Sequence, residues 1–325
     1  MTTTLESLHR SRDTITPAMR AAIDRLDPTT RLQAAYHLGW VDADGRPDSG
    51  GGKAVRPALA LLSAQAAGAG AETGLPGAVA VELVHNFSLL HDDLMDHDQE
   101  RRHRRTVWAV WGAASAILSG DALLGLSQEV LLDSGLPTAV PAALLLARAT
   151  RELIRGQVQD LAFEERDDVS VTECLDMAAG KTGALMAASA AIGAVLAGAP
   201  ADTVAALETY GARVGLAFQL VDDVLGIWGD PAVTGKPVFS DLRAGKKSLP
   251  VAYALGRDPS IALIDPADLE RRAEAIDRAG GRRWALAEAA GRMSEGEAAL
   301  AGVELPDPVR AELLALGRFI VDREV

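Results

Sequence analysis

Two acidic clusters carry the clearest chemistry in the chain. In V-E-L-V-H-N-F-S-L-L-H-D-D-L-M-D-H-D-Q-E-R-R, from Val81 to Arg102, an apolar stretch turns acidic and then basic. Asp92 and Asp96 are four residues apart, so on a helix their carboxylates share a face, with Asp93 to the side. Carboxylates that close repel one another and invite a divalent cation. Their hard oxygens suit Mg²⁺, which keeps several waters and bridges to phosphates. Arg101 and Arg102 follow directly, and guanidinium forks match phosphate oxygens. By itself an acidic helix end is as often a solvated surface as a metal site. The second cluster changes that balance. F-Q-L-V-D-D-V-L-G-I-W-G-D, from Phe218 to Asp230, again sets an acidic pair, Asp222 and Asp223, at the end of an apolar run, with Gln219 one turn earlier. Facing each other across a helical bundle, the two clusters would form a metal cage around a diphosphate.

Three further stretches offer polar groups. In G-G-G-K-A-V-R-P, Lys53 and Arg56 stand at the start of a helix, where the dipole favours an anion, and glycines 50, 51 and 52 would let backbone N–H groups approach it. G-Q-V-Q-D places Gln157 and Asp160 three apart on an otherwise apolar helix. A-G-K-T-G, 179–183, sets Lys181 in apolar sequence without the spacing of a P-loop. The segment from Pro231 to Pro250 is a long loop rich in Gly, Pro and Lys beside the second acidic pair, as functional loops often are.

The elements that must position these groups read as helices. The chain has 325 residues, is 48% hydrophobic and only 4% aromatic, and Ala and Leu dominate. That length buries a large core. A net charge of −13 argues against nucleic-acid binding and requires any phosphate site to concentrate its cations locally. The lone Cys174 excludes an intrachain disulfide and suits a reducing cytosol. The N-terminus lacks the pattern of a signal peptide. Residues 182–201 carry no charge over a span of bilayer length, but they are mostly Ala and Gly, which fits a buried bundle helix better than a transmembrane one. One or two amphipathic helices are expected over 15–37, a loop over 42–52, then helical runs near 106–118, 120–133 and 138–165, with outer helices over 251–325.

The ordered motifs resemble those of the trans-isoprenyl diphosphate synthases. G-K-x-x-R-P matches Gly52, Lys53, Arg56 and Pro57. H-x-x-x-L-x-H-D-D-x-x-D with R-R matches His85, His91, Asp92, Asp93, Asp96, Arg101 and Arg102. G-Q-x-x-D, K-T and F-Q-x-x-D-D match at 156–160, 181–182 and 218–223, and D-P-x-x-T-G-K and D-L-x-x-G-K-x-S match at 230–236 and 241–248. Each is weak alone, but the set in order is specific.

The resemblance implies an all-α isoprenoid-synthase bundle around a central cavity, a single domain over 1–325 whose first dozen or so residues are disordered. It implies that Asp92, Asp96 and Asp222 hold three Mg²⁺ ions, with Asp93, Lys181 and Lys246 also in the catalytic set. Arg101, Gln157, Lys181, Thr182, Gln219, Lys236 and Lys246 would bind an allylic diphosphate. Gly52, Lys53, Arg56, His85 and Arg102 would bind isopentenyl diphosphate. The reaction would be ionisation of the allylic C–O bond, attack by the second substrate's double bond, and proton loss. Phe87 and Ser88, five and four residues before Asp92, would floor the product tunnel. Phe87 with no insertion in the first motif resembles enzymes making geranylgeranyl diphosphate (C20), with farnesyl diphosphate (C15) as the alternative. A cytoplasmic homodimer without a transmembrane segment is expected.

Two departures stand out. The usual R-R-G-x-P is replaced by R-R-H-R-R, Arg101 to Arg105, and the third Asp of the second motif is replaced by Gly226. The latter predicts weaker Mg²⁺ affinity. Asp222, Gly226 and Asp230, four apart, also faintly resemble a class I terpene cyclase motif, but a cyclase has no use for the second diphosphate set at Lys53, Arg56, His85 and Arg102. A non-catalytic partner subunit would typically lose acids of the first motif, and all three are kept.

Overall fold

The computed structural model describes residues 4–48, 50, 52, 54–231 and 237–321. Helices make up nearly all of it: α1 Thr4–Ile23, α2 Pro28–His37, α3 Val55–Ala66, α4 Ala71–Met95, α5 Val107–Trp111, α6 Ala113–Leu132, α7 Ala139–Glu164, α8 Val171–Ala178, α9 Ala184–Leu196 and α10 Ala201–Trp228. They continue with α11 Ser240–Arg243, α12 Leu249–Arg257, α13 Leu269–Arg278, α14 Gly281–Ala301 and α15 Asp307–Val321. A π-turn, Ala179–Gly183, joins α8 to α9, and two-residue strands β1 Glu100–Arg101 and β2 Arg104–Arg105 form one antiparallel hairpin. The all-α expectation holds. The first turns of α1 lie where disorder was expected. Residues 15–37 form two helices because Asp27 accepts from the N–H groups of Thr29 and Thr30 and Pro28 takes the first helical position. The expected run at 106–118 is broken at Gly112, which turns with φ 88°.

The described residues group into two compact units, those of 1–147, 188–204 and 305–309, and those of 148–187, 205–304 and 310–325. In the first, α3 and α4 bury an Ala- and Leu-rich seam that includes Leu59, Leu62, Val81 and Leu83. Gly193 of α9 lies on α3 so closely that its N–H donates to Ser63 Oγ at 3.0 Å. In the second, Tyr210 is fully buried and donates its hydroxyl to Leu313 O. Ile227, Leu242, Val251, Ile261 and Ile276 form a further apolar cluster there.

The uncharged stretch singled out in the sequence belongs to the continuous helical run Val171–Leu196. It is long and apolar enough to cross a bilayer, yet 78% of its most apolar window is buried inside the protein. Its small residues are explained by close packing. A Cβ at Gly193 would stand 2.0 Å from Ala60 O and 2.7 Å from Ala64 N, both backbone atoms that cannot rotate away. Gly193→Ala is therefore expected to cost roughly 2–3 kcal/mol of unfolding free energy, the cost of overpacking a core, measured by chemical denaturation.

Candidate active site

In the first unit the 25-residue helix α4 delivers the first acidic motif at its C-terminal end. The backbone dipole there is negative, so carboxylates are placed against it and a cation is favoured. Asp96 caps the helix, its N–H donating to Asp92 O at 2.8 Å, while the neighbouring Asp93 turns inward and is buried. Asp93 Oδ1 accepts from Arg101 Nε at 2.6 Å, and Asp93 Oδ2 has no partner among the described residues. Burial raises the Asp93 pKa and the Arg101 charge opposes that rise. Asp93 therefore holds Arg101, while Asp92 and Asp96 stay on the more exposed side.

Arg101 reaches Asp93 because the chain reverses in a tight hairpin. Glu100 pairs with Arg105 and Arg101 with Arg104, and the two turn residues, Arg102 (φ 52°) and His103 (φ 61°), are both left-handed. Such turns favour Gly or Asn at these positions. His103 stands where the resembled family has Gly, so the replacement keeps the turn at a cost in backbone strain. Arg104 secures it, donating to Tyr36 O and Val41 O at 3.0 and 2.6 Å and lying over the Tyr36 ring. Arg105 O accepts from the Tyr36 hydroxyl at 2.7 Å.

A cavity of about 270 Å³ is lined by His37, Asp93, Arg101, Arg102, Arg104 and Arg105, together with Arg12, Tyr36 and neighbouring residues. In a chain of net charge −13 this is the local concentration of cations that a phosphate site requires. Gly52 brings its loop onto the same group, since a Cβ there would lie 3.3 Å from Arg102 Nη2. Arg56 is near Glu82, and burial lowers its pKa while the Glu82 charge opposes the shift. Burial, then the charges of Arg56, Arg102 and Arg101, hold His85 well below its ordinary value, so it is neutral. Burial, with Arg101, Arg102 and Arg104, pushes His37 down to about 3. Asn86 donates to Glu82 Oε1 at 3.3 Å. Sequence spacing does not single out His37, Glu82 and Asn86, although a Glu one turn before His85 in an apolar helix is a usable signal. Lys53 lies outside the described residues.

Two of the residues expected to floor a tunnel are buried on α4. Phe87 meets the His91 ring edge-on, centroids 4.8 Å apart, and Ser88 Oγ is turned back to His85 O at 2.9 Å. His91 Nε2 lies 3.1 Å from Ile117 O, and Gly120 leaves it room, since a Cβ there would come within 2.3 Å of that nitrogen.

In the second unit, α7 and the π-turn touch through glycine. A Cβ at Gly156 would stand 2.2 Å from Lys181 N, so only glycine lets the turn lie this close. Single π-turns often mark functional positions. This one presents Lys181, whose Nζ pairs with Asp160 Oδ2 at 2.5 Å. Thr182 Oγ1 donates to Gln219 Oε1 at 2.7 Å, Gln219 Nε2 donates to Asp223 Oδ1 at 2.7 Å, and Asp223 Oδ2 accepts from Leu249 N at 2.8 Å. Gln219 and Thr182, expected to bond a diphosphate directly, are bonded to one another, and the chain they form fixes Asp223. Burial pushes Asp223 up to about 7, and the adjacent Asp222 is less buried. Gln157 is buried, and neither of its amide atoms has a partner among the described residues. Lys246 is exposed, and its N–H donates to Asp241 O at 2.9 Å. Lys236 lies outside the described residues.

These donors fit Mg²⁺. Asp92, Asp96 and Asp222 offer hard oxygens near helix C-termini, and the space a Cβ at Gly226 would fill is occupied by the Asp241 carboxylate. Among the described residues no group of three or more His, Cys, Asp or Glu side chains is placed to hold an ion alone.

The sequence matches the polyprenyl synthetase family over residues 48–277. It is 53% identical to (2E,6E)-farnesyl diphosphate synthase of Mycobacterium tuberculosis, covering 99% of this chain and 94% of that protein. It is 43% identical to geranylgeranyl diphosphate synthase of the same bacterium, covering 98% and 93%. The crystal structure of a polyprenyl synthetase from Streptomyces coelicolor matches with a TM-score of 0.92 at 53% identity, covering 97% of this chain and 98% of that one.

The hairpin and the Glu82 cluster each make a prediction. His103→Gly is expected to raise unfolding free energy by roughly 1 kcal/mol by relieving the left-handed strain, and His103→Val to lower it, both read by urea denaturation. Glu82→Gln leaves Arg56 without its counter-charge and is expected to cost about 3 kcal/mol. Added pyrophosphate would recover part of the lost melting temperature by supplying that charge. A melt of Glu82→Gln that pyrophosphate does not move would refute the role given to Glu82.

Proposed function

The chain belongs to the polyprenyl synthetase family and is a trans-prenyltransferase, and from that premise we propose that it condenses isopentenyl diphosphate with short allylic diphosphates and releases farnesyl diphosphate. The observation that carries the C15 product is the 53% identity to a farnesyl diphosphate synthase over 99% of the chain, against 43% to a geranylgeranyl diphosphate synthase. The C20 product expected from Phe87 and Ser88 gives way to C15. The packing of Phe87 supports a firm floor, because its ring is backed by His91, which is itself confined by Ile117 O and Gly120.

Bound Mg²⁺, at Asp92 and Asp96 in the first unit and at Asp222 in the second, would neutralise charge building on the departing diphosphate oxygens. The expected complement is three ions. Arg101 is oriented by Asp93 and keeps its terminal nitrogens for phosphate. Gly52, Lys53, Arg56, His85 and Arg102 bind isopentenyl diphosphate. His85, being neutral, donates one N–H to a phosphate oxygen without adding to the crowd of positive charge. In the second unit Lys181, steadied by Asp160, and Lys246 bond diphosphate oxygens, while Gln219 and Thr182 hold the acidic helix end in register. The allylic C–O bond ionises to an allylic cation and diphosphate, the double bond of isopentenyl diphosphate attacks that cation, and a proton then passes to the released diphosphate.

The protein works as a cytosolic homodimer in this reading. Leu118, Val140 and Leu144 are 64%, 58% and 53% exposed, an apolar surface a second copy would cover, and Cys174 is a buried free thiol.

The test is a product assay with Mg²⁺, isopentenyl diphosphate and, separately, C5, C10 and C15 allylic diphosphates, with the dephosphorylated alcohols identified by mass spectrometry. Farnesol from the C5 and C10 primers, with the C15 primer left unextended, is expected, and Phe87→Ala should shift the products to C20 and beyond. Native enzyme that extends the C15 primer to C20 at a comparable rate would return the product to geranylgeranyl diphosphate. Hydrocarbons formed without isopentenyl diphosphate would mean a cyclase.

A further inference from the structure

Two loops of the first unit meet at Arg102. One is the hairpin that carries Arg101 and Arg102, and the other is the 38–52 loop, where a Cβ on Gly52 would lie 3.3 Å from Arg102 Nη2. We propose that Tyr36 and Arg104 are positioning residues that latch both loops to the end of α2, and that this latch sets Arg102 against the glycine loop for isopentenyl diphosphate. The inference rests on the function proposed above and concerns how its second diphosphate site is held.

The hairpin does not hold itself. It pairs only two residues a side, and both turn residues, Arg102 and His103, take left-handed backbone without being glycine. Four arginines within residues 101–105 also repel one another. Tyr36, buried in the last turn of α2, supplies the missing support. Its hydroxyl donates to Arg105 O at 2.7 Å, and its carbonyl accepts from Arg104 Nη1 at 3.0 Å. The Arg104 guanidinium carbon stands 4.3 Å from the Tyr36 ring centroid, and Trp111 of α5 backs that ring edge-on, centroids 4.9 Å apart. Arg104 then extends the latch to the second loop. Its Nη2 donates to Val41 O at 2.6 Å and lies 3.6 Å from the Asp48 carboxylate, while Gly50 N–H returns to Gly39 O at 2.9 Å. Both terminal nitrogens of Arg104 are thus engaged by backbone carbonyls, and its charge rests on an aromatic face. Arg104 lines the cavity beside Arg102, yet it holds the chain where Arg102 meets phosphate.

The test separates binding from turnover. The KM for isopentenyl diphosphate and kcat are measured with Mg²⁺ and saturating C10 allylic diphosphate. Tyr36→Phe removes only the bond to Arg105 O. It is expected to raise KM about fivefold, the net worth of one hydrogen bond, with kcat within about twofold of native. Arg104→Lys keeps the charge but loses the fork that spans two carbonyls, and it should raise KM about tenfold. In a His103→Gly background, where glycine holds the turn by itself, Tyr36→Phe should raise KM less than about twofold. Melting temperatures check that each variant folds, and Tyr36→Phe serves by itself if Arg104→Lys does not. An unchanged KM in folded Tyr36→Phe, a native KM in folded Arg104→Lys, or a Tyr36→Phe effect undiminished by His103→Gly would overturn the inference. Pyrophosphate binding without Mg²⁺, read by calorimetry, reports the same latch independently of turnover and should weaken in the same proportion. Native protein that makes no prenyl alcohol sinks the proposed function, whereas a C15-producing enzyme indifferent to both variants sinks this inference alone.

Discussion

Both acidic motifs stand near the C-terminal ends of long helices, where the peptide dipoles already place partial negative charge. Carboxylates there are unfavourable unless a cation answers them. This constraint accounts for much of the surrounding arrangement. One member of each pair is withdrawn from the problem by a hydrogen-bond donor, Asp93 by Arg101 and Asp223 by Gln219 and the Leu249 N–H. The other member is left more exposed, with oxygens suited to a hard divalent ion. Burial therefore splits each Asp-Asp pair into a clamp bonded to protein donors and a more exposed carboxylate.

The cations obey the complementary rule. In a strongly acidic chain the first unit gathers Arg56, Arg101, Arg102, Arg104 and Arg105 in one region, and they would repel one another without internal partners. Glu82 answers Arg56, Asp93 answers Arg101, and backbone carbonyls hold Arg104. In the second unit Asp160 answers Lys181. The histidines within the cationic group are kept neutral by burial and by the arginines, so they add hydrogen-bonding capacity and no charge. An anion bound among these arginines would add to the counter-charge the protein supplies from within, and so would couple binding to stability.

Close approach of helices supplies the precision. Gly156 admits the π-turn that carries Lys181, and Gly193 lets α9 lie on α3 with a side chain-to-backbone bond between them. The low aromatic content and the Ala-rich runs follow from this. Helices this near to one another leave space for methyl groups and little more, and ridge-and-groove packing with small residues replaces the bulky cores of looser bundles.

The sequence by itself determined the helical class, the family and the two acidic motifs. It did so because helix periodicity and carboxylate spacing are local properties, and because seven short motifs in one order are specific jointly. It also showed, as a bare departure, that Gly226 and His103 break the family pattern. Only the tertiary structure decided what those departures mean. The conformation at His103 depends on a hairpin register, and the space beside Gly226 is filled by the Asp241 carboxylate because α11, fifteen residues downstream, is seated on the end of α10. It likewise decided that Gln219 and Thr182 bond to one another and that Glu82, Asn86 and His37 belong to the cationic cluster. Their partners lie 4 to 67 residues away, and which of several polar groups meet is settled by packing, a non-local quantity that spacing along the chain does not encode.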